Sequence, residues 1–166
     1  MRYALVSLGL ATALAAAAPL SAQQHDMRAM GAPTPASDTQ AVRRVVEALA
    51  AYSQDKNLAA LDTLYAPDAY VRVIEGSGVN NGWLDYRDHH LGPELREFTN
   101  FRYRYYDIEP QVRGDVAWAA FRYELIADTP QGHAESDGRG TVILERRGGR
   151  WLVAQIHTSG RRRAAR

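Results

Sequence analysis

Two histidines, His90 and His157, are the side chains in this sequence best suited to move a proton. Histidine changes its charge near neutral pH, so it can act as a general base, a general acid or a metal ligand. His90 shares one side of a predicted helix with Trp83 and Tyr86, and His157 follows Trp151 on one face of a predicted final strand. Both are therefore candidate catalytic residues. The commoner alternative is a buried histidine bonded to a backbone carbonyl.

Aromatic residues are more numerous than a small core needs, and this favours a cavity. An apolar cavity with a few hydroxyls and one or two charged groups suits a small apolar or aromatic ligand. The candidate ligand-binding residues are Tyr52, Trp83, Tyr103, Arg122 and Tyr123. The alternative is that these side chains serve plain packing or the face of a homodimer.

Metal and cofactor binding is not expected within the folded domain, because neither candidate histidine has a second ligand at metal-site spacing. One alternative lies in residues 23–25, which become the N-terminus if the first 22 residues are removed. A free amine, two backbone nitrogens and the His25 imidazole would then form a square-planar set that suits Cu(II). The other interpretation is a histidine that lies by chance in a loose linker.

The first 22 residues have the layout of a secretory signal peptide. Arg2 is followed by an uncharged, Ala/Leu-rich run and then by Pro19 and small residues ending at Ala22. This order predicts cleavage after Ala22 and export to the periplasm or the exterior, with membrane contact only through the signal peptide. The alternative is an uncleaved anchor, because the run is about long enough to span a bilayer. The sequence has no cysteine, so disulfides are excluded.

The rest of the chain has the length of one domain and a balanced charge. Without Arg2, basic and acidic residues are equal in number. Four arginines crowd the end, and residues 161–166 are expected to be a solvated basic tail, or alternatively a contact for anionic lipid or a partner. An extended basic face is missing, so a nucleic-acid partner is not expected.

The helices that position these residues are predicted to follow a flexible linker, residues 23–37. A capping pattern at Ser37 and Gln40 opens a helix that ends near Asn57, and a second short helix covers residues 58–64. A third helical stretch, residues 83–98, is expected to be interrupted at Gly92-Pro93.

The predicted strands lie mostly in the second half of the chain. After a first strand at 69–74 and a loop at 76–82, strands are predicted at 101–108, 116–127, 141–146 and 151–159, with 132–136 as loop or strand. The last two strands flank an Arg147-Gly-Gly-Arg150 hairpin turn. Helices first and antiparallel strands afterwards indicate an α+β domain over residues 38–160.

Three segments carry a family resemblance: 64–71, a helix-to-strand junction; 114–119, a Gly-Asp-x-Ala-Trp turn; and 149–160, the last strand. In this order they resemble the nuclear transport factor 2-like superfamily, which includes SnoaL-like and ketosteroid isomerase-like proteins. The last strand resembles the association domain of calcium/calmodulin-dependent protein kinase II. The resemblance implies a cone-shaped barrel, in which a strongly bent, mixed, mainly antiparallel sheet has about three helices on its concave face. It implies no single function, because this fold hosts many.

The resemblance also implies two kinds of site, and neither is complete in this sequence. The carboxylate base and the tyrosine of ketosteroid isomerase fall on Val73 and near Leu49, which cannot transfer a proton. A shifted pair, Glu75 and Tyr52, is an alternative. The association domain implies arginines that hold a carboxylate. Arg122 matches one of them, but two other basic positions are uncharged here, and Arg122 as a surface strand residue is the alternative.

Three functions are compatible with this pattern. The first is an exported domain that binds a small apolar or aromatic molecule without catalysis. The second is an enzyme of the cyclase, dehydratase or isomerase type with a histidine as general acid–base, which requires both histidines, or one histidine and Glu75, to converge on one cavity. The third is an oligomerisation or interaction domain, with the homodimer as its simplest form.

Overall fold

The computed structural model describes residues 36–67 and 71–163. The expected signal peptide, most of the linker and His25 lie outside these residues. No helix among the described residues is long and apolar enough to cross a membrane.

The first two helices pack their apolar sides onto a sheet. Helix α1, Ala36–Gln54, buries Val42, Val46 and Leu49, which recur at helical spacing. It begins at Ala36, one residue before the expected cap at Ser37, so that expected start is wrong. Differences of one or two residues are common at helix ends. Helix α2, Leu58–Asp62, is capped by Asn57, whose side-chain oxygen accepts a hydrogen bond from the Ala60 N–H at 3.0 Å.

The third helical stretch runs without interruption from Trp83 to Glu97. It consists of α3 (Trp83–Tyr86), a π-helical segment (Arg87–Leu91) and α4 (Gly92–Glu97). The interruption expected at Gly92-Pro93 is therefore wrong. Pro93, which has no N–H to donate, is the second residue of α4, and directly before it the Gly92 N–H donates to the Arg87 carbonyl in the π-helical pattern. A Cβ at Gly92 would lie 2.6 Å from that carbonyl oxygen, so this backbone approach requires glycine.

Six strands form one sheet in the order β2-β1-β6-β5-β4-β3. They are β1 (Arg72–Glu75), β2 (Gly78–Asn81), β3 (Thr99–Arg113), β4 (Val116–Thr129), β5 (Gly132–Arg147) and β6 (Arg150–Arg162). Only β1 and β6 pair in parallel; every other neighbouring pair is antiparallel. The α+β class, the three helical stretches and the mixed, mainly antiparallel sheet are thus confirmed, and the sheet is not closed into a full barrel because β2 and β3 remain its edges.

Several strands differ from the predicted ones. Residues 78–81, expected in a loop, form the edge strand β2, because the neighbouring β1 supplies a hydrogen-bonding partner that local propensity does not reveal. Residues 132–147 form one long strand instead of two segments. Strand β6 extends to Arg162, so the beginning of the expected tail belongs to the sheet, and Arg163 pairs with Glu124 at 2.8 Å.

The hairpin between β5 and β6 is confirmed. Its central residues, Gly148 and Gly149, have φ values of 54° and 76°, which is the positive range that a two-residue turn of this kind demands. Elsewhere the sheet is bent by β-bulges in β3, between Thr99 and Arg102 and between Tyr106 and Glu109.

The two faces of the sheet have different surroundings. The inner face, which carries Val73, Phe121, Val142 and Ile156, packs with the helices into one buried apolar cluster. The outer face is the opposite one, and by strand alternation it carries Trp118, Arg122, Arg139 and His157, all exposed to solvent. Any side chain on the outer face is therefore separated from the interior by the sheet itself.

Candidate functional site

A small cavity of about 60 Å³ lies between the inner face and the helices. Leucines, phenylalanines and Ile156 supply most of its apolar wall. Its polar lining consists of Ser53, Tyr65, Glu75, Tyr86, Glu94, Tyr103, Tyr105 and Thr158. The volume is enough for a few water molecules or for one end of a small organic molecule. It is well below the several hundred Å³ of a typical drug-sized pocket.

Two carboxylates and a histidine meet at the mouth of this cavity. His90 Nε2 lies 3.3 Å from Glu75 Oε2 and 3.4 Å from Glu94 Oε1, and the three side chains are between about a third and a half exposed. Glu75 is the last residue of β1, whereas His90 and Glu94 are four residues apart on the third helical stretch and so share one side of it. An acid and a base thus converge on one cavity.

The protons of this cluster follow from its hydrogen bonds. His90 Nδ1 is 3.1 Å from the Asn80 side-chain oxygen, an acceptor, so Nδ1 carries a proton. Nε2 then faces two carboxyl groups, and it gains from them only if a further proton is present on the imidazole or on one carboxyl. Burial raises the pKa of Glu94, and the charge of Glu75 acts in the same direction while His90 opposes it. Glu94 therefore holds its proton more tightly than a free glutamate does.

Tyrosine hydroxyls surround the rest of the cavity. The Tyr86 O–H donates to Glu75 Oε1 at 2.9 Å, and the hydroxyls of Tyr103 and Tyr105 are 3.1 Å apart. Burial, as the largest cause, raises the pKa of all three tyrosines well above the ordinary value of 10.0. They consequently remain protonated near neutral pH and are available as hydrogen-bond donors.

Local packing explains how the helix presents His90. Trp83 stacks on Tyr65 with ring centroids 4.0 Å apart, and its indole N–H donates to Asp62 at 2.7 Å. Tyr86, one turn further, has its ring 5.2 Å from that of His90 in an edge-to-face arrangement. Trp83 therefore fixes the start of the helix against α2. This contact sets the direction of Tyr86 and His90, which follow on the same side of the helix.

The structure brings some of the predicted site residues together. Tyr103 lines the cavity, and His90 contacts two carboxylates that line it. Tyr123 lies on the inner face beside Tyr103, with ring centroids 6.0 Å apart, but it is not part of the cavity lining. Trp83 and Tyr52 pack into or against the apolar core instead of lining the cavity.

Two of the predicted site residues lie elsewhere. Arg122 and His157 are exposed on the outer face, so the expectation that they share a cavity with His90 is wrong. The reason is strand parity: Phe121 and Ile156 point inward, so the residue after each points outward. The irregular pairing of β6 between Val153 and Gln155 shifts the alternation, so His157 does not share the face of the buried Trp151 as expected. Among the residues that the structure describes, the exposed His157 ring makes no hydrogen bond to a backbone carbonyl.

Sequence reasoning missed Glu94, Tyr86 and Tyr105 as site residues. The four-residue spacing of His90 and Glu94 within a helix was the available signal for the first. Glu75, considered as a shifted position, lies two residues after Val73 on the same strand face, and both residues line the cavity. Leu49 also lines it, so both positions implied by ketosteroid isomerase are inside the cavity but carry apolar side chains.

Within residues 36–67 and 71–163, no group of three or more histidine, aspartate or glutamate side chains is placed to hold a metal ion.

Comparisons with known proteins agree with this architecture. The chain is similar to a nuclear transport factor 2-like protein from Salmonella enterica, with a TM-score of 0.69, 15% identity, and coverage of 80% of this chain and 96% of the other. It is also similar to a candidate ketosteroid isomerase from Shewanella frigidimarina, with a TM-score of 0.60, 24% identity, and coverage of 72% and 94%.

A third similar structure is a candidate dehydratase of the same superfamily from Streptomyces avermitilis, with a TM-score of 0.67, 16% identity, and coverage of 76% and 97%. These identities show a common fold and no more. No curated protein matches the chain. The model of the SnoaL-like domain matches residues 42–161, which is most of the chain and nearly all of the described sheet and helices. The chain therefore belongs to the SnoaL-like domain family, and its fold is that of nuclear transport factor 2-like proteins.

Proposed function

We propose that this protein is an enzyme that moves a proton on a small organic molecule, in an isomerase, dehydratase or cyclase type of reaction. The single observation that carries the proposal is the convergence of Glu75, His90 and Glu94 at a cavity whose far wall holds tyrosine hydroxyls. The candidate isomerase and candidate dehydratase among similar structures support the reaction class only by their common fold.

Glu75 is the proposed general base, because its side chain lines the cavity and it is the last residue of β1, at the cavity mouth. Its Oε1 accepts one hydrogen bond from Tyr86 and its Oε2 faces His90, and a carboxylate retains further lone pairs to accept a substrate proton. Both nitrogens of His90 are already directed at protein groups. His90 is therefore a positioning residue that lies between the two carboxylates.

Tyr103 and Tyr105 are the proposed donors to the oxygen on which negative charge develops. Abstraction of a proton beside a carbonyl turns that carbonyl oxygen into an enolate oxygen, and a protonated phenol in a buried site stabilises it. The cavity admits only a few non-hydrogen atoms, so the reacting end of the substrate enters it while the remainder stays at the partly exposed mouth.

The test is hydrogen exchange at carbon. A panel of small ketones and enones is incubated with the protein in D₂O, and deuterium uptake at the carbon next to the carbonyl is followed by proton NMR. Glu75→Gln is expected to lower the exchange rate by about 10²–10⁴-fold. Glu47→Gln, an exposed residue of α1, is the matched control and should leave the rate unchanged. Equal rates for both variants would refute the assignment of the base.

A second function, binding without catalysis, is favoured by the apolar part of the lining. Phe98, Phe101, Leu91, Leu95 and Ile156 form a wall that suits a small apolar or aromatic molecule. Native mass spectrometry of the purified protein tests it. A co-purifying small molecule that Leu95→Trp excludes, together with no exchange on the ketone panel, would favour binding over catalysis.

We also propose that the protein works outside the cytoplasm and as a homodimer. Export rests on the predicted signal peptide, and N-terminal sequencing tests it by showing whether the mature form begins at Gln23.

Self-association is supported by the exposed apolar side chains Val116 and Trp118, which lie on the outer face at 45% and 38% exposure. Sedimentation analysis that shows a monomer at micromolar concentration would contradict it.

A further inference from the structure

The outer face carries a second concave site that the proposed reaction does not use. It is a groove of about 440 Å³ that crosses the three neighbouring strands β4, β5 and β6. Its lining consists of Arg122, Asp137, Arg139, Ser159 and Arg161, with Gly138 and Gly160 between them. The groove and the internal cavity are on opposite sides of the sheet, because Gly138 and Gly160 direct their missing side chains towards Tyr123 on the inner face.

The positive charge in this groove is placed where it destabilises the folded protein. Arg122 lies directly opposite Arg139 on the neighbouring strand, and Ser159 lies opposite Arg139 on the next. Like charges directly opposite each other destabilise a pair of strands. The arrangement is therefore less favourable without an anion beside the two guanidinium groups than with one.

The acidic groups nearby neutralise only part of this charge. Arg122 is 3.7 Å from Asp107, a long and half-exposed ion pair, and its guanidinium also lies over the Tyr106 ring. Asp137, the one acidic residue of the lining, is engaged by Arg161 at 3.7 Å and by Arg163 at 3.2 Å. Within the described part of the chain, Arg139 makes no ion pair or hydrogen bond through its side chain. The Arg139 guanidinium is thus open to solvent, and the neighbouring Arg122 guanidinium makes only a long ion pair and a contact with an aromatic ring.

We propose that this groove binds a small molecule through a carboxylate or phosphate group. Two guanidinium groups on adjacent strands can each offer paired N–H donors to such an oxyanion, and the exposed Ser159 hydroxyl offers another. The basic surface is confined to one groove, whereas a nucleic acid requires an extended basic face. The ligand is therefore a small anion or an anionic small molecule.

The test is binding of inorganic phosphate and of succinate to the full-length protein by calorimetry. Sodium chloride holds the ionic strength constant, so general screening does not appear as binding. Arg139→Gln and Arg122→Gln are each expected to raise the dissociation constant by about tenfold or more, the effect of one lost charge-assisted hydrogen bond. Phosphate binding without succinate binding would identify a phosphate site, and the reverse a carboxylate site; either supports the proposal.

Controls separate a specific groove from a surface of positive charge. Arg43→Gln removes an exposed arginine of α1 and should bind both anions like the unchanged protein. Arg139→Gln should unfold at an equal or higher temperature in the absence of anions, because it removes a like-charge neighbour. Heat signals that match those of chloride, or equal losses in all three variants, would overturn the proposal. Glu75→Gln should retain anion binding, so failure of the proposed reaction and failure of this site are distinguishable.

Discussion

The close contact between Phe121 and Gly140 supports the wall of the cavity, and its energy can be measured. Phe121 lies on the inner face, stacks on Tyr105 at 4.1 Å and stands over Gly140 on the next strand. A Cβ at Gly140 would lie 2.2–2.8 Å from three ring atoms of Phe121. Since real Cβ atoms do not approach so closely, Gly140→Ala must displace the ring and with it Tyr105.

The expected cost of Gly140→Ala is about 1–3 kcal/mol, as for other insertions of a methyl group into a packed core. For a domain of this size that corresponds to a decrease of about 4–12 °C in the unfolding temperature. Phe121→Leu removes the three ring atoms that the new Cβ would meet. In that background Gly140→Ala should cost less than about 0.5 kcal/mol or become stabilising, because alanine in a strand is favoured over glycine.

Urea unfolding of the unchanged protein, both single variants and the double variant gives the coupling energy directly. We expect a coupling of about 1–3 kcal/mol, and a shift in the Tyr105 ring resonances in Gly140→Ala alone. The matched control is Gly78→Ala, whose Cβ would meet only the Glu75 carbonyl at 3.4 Å and should change stability by less than about 0.5 kcal/mol. An equal cost of Gly140→Ala in both backgrounds would refute the steric argument.

Three further predictions concern the site and its anchor. Tyr103→Phe should lower carbon exchange by about 10²-fold in the NMR assay if its hydroxyl is a donor to the developing oxyanion, and no loss of rate would remove it from that role. The folded protein holds the Glu94 proton more tightly than the unfolded chain, so this group favours folding below its ordinary pKa of 4.5 and the benefit is lost as pH rises above it. Glu94→Gln should therefore gain stability relative to the unchanged protein as pH rises from 4 to 7 in urea unfolding, and a constant difference would contradict the raised pKa. Trp83→Phe should cost about 1–3 kcal/mol in the same assay, because it removes the indole donor to Asp62 and part of the ring that stacks on Tyr65, and an unchanged stability would contradict the anchoring role of Trp83.

The predicted elements were most accurate where a local pattern is complete. The spacing of Val42, Val46 and Leu49 predicted α1, and the glycine pair at 148–149 predicted the closing hairpin. Both depend on interactions between residues close in the chain, which sequence spacing displays directly. The order of these elements, with three short motifs, was also enough to predict a SnoaL-like domain, and the family match over residues 42–161 confirms it.

Local pattern failed for two segments. Residues 78–81 look like a loop and become a strand only because β1 lies beside them. The uninterrupted helix through Gly92-Pro93 depends on a π-helical hydrogen bond that no propensity scale contains. In both cases the hydrogen-bonding partner, and not the composition, decided the conformation.

The sequence by itself determined the family, the α+β class, and the presence of His90 and Glu75 as groups able to exchange a proton. Only the tertiary structure decided which groups meet. Glu75 and His90 come together at one cavity although they lie on a strand and on a helix, and Arg122 and His157 are excluded from it by the parity of their strands. The physical reason is that alternation along a strand has two possible phases, and packing of the helices against one face selects between them.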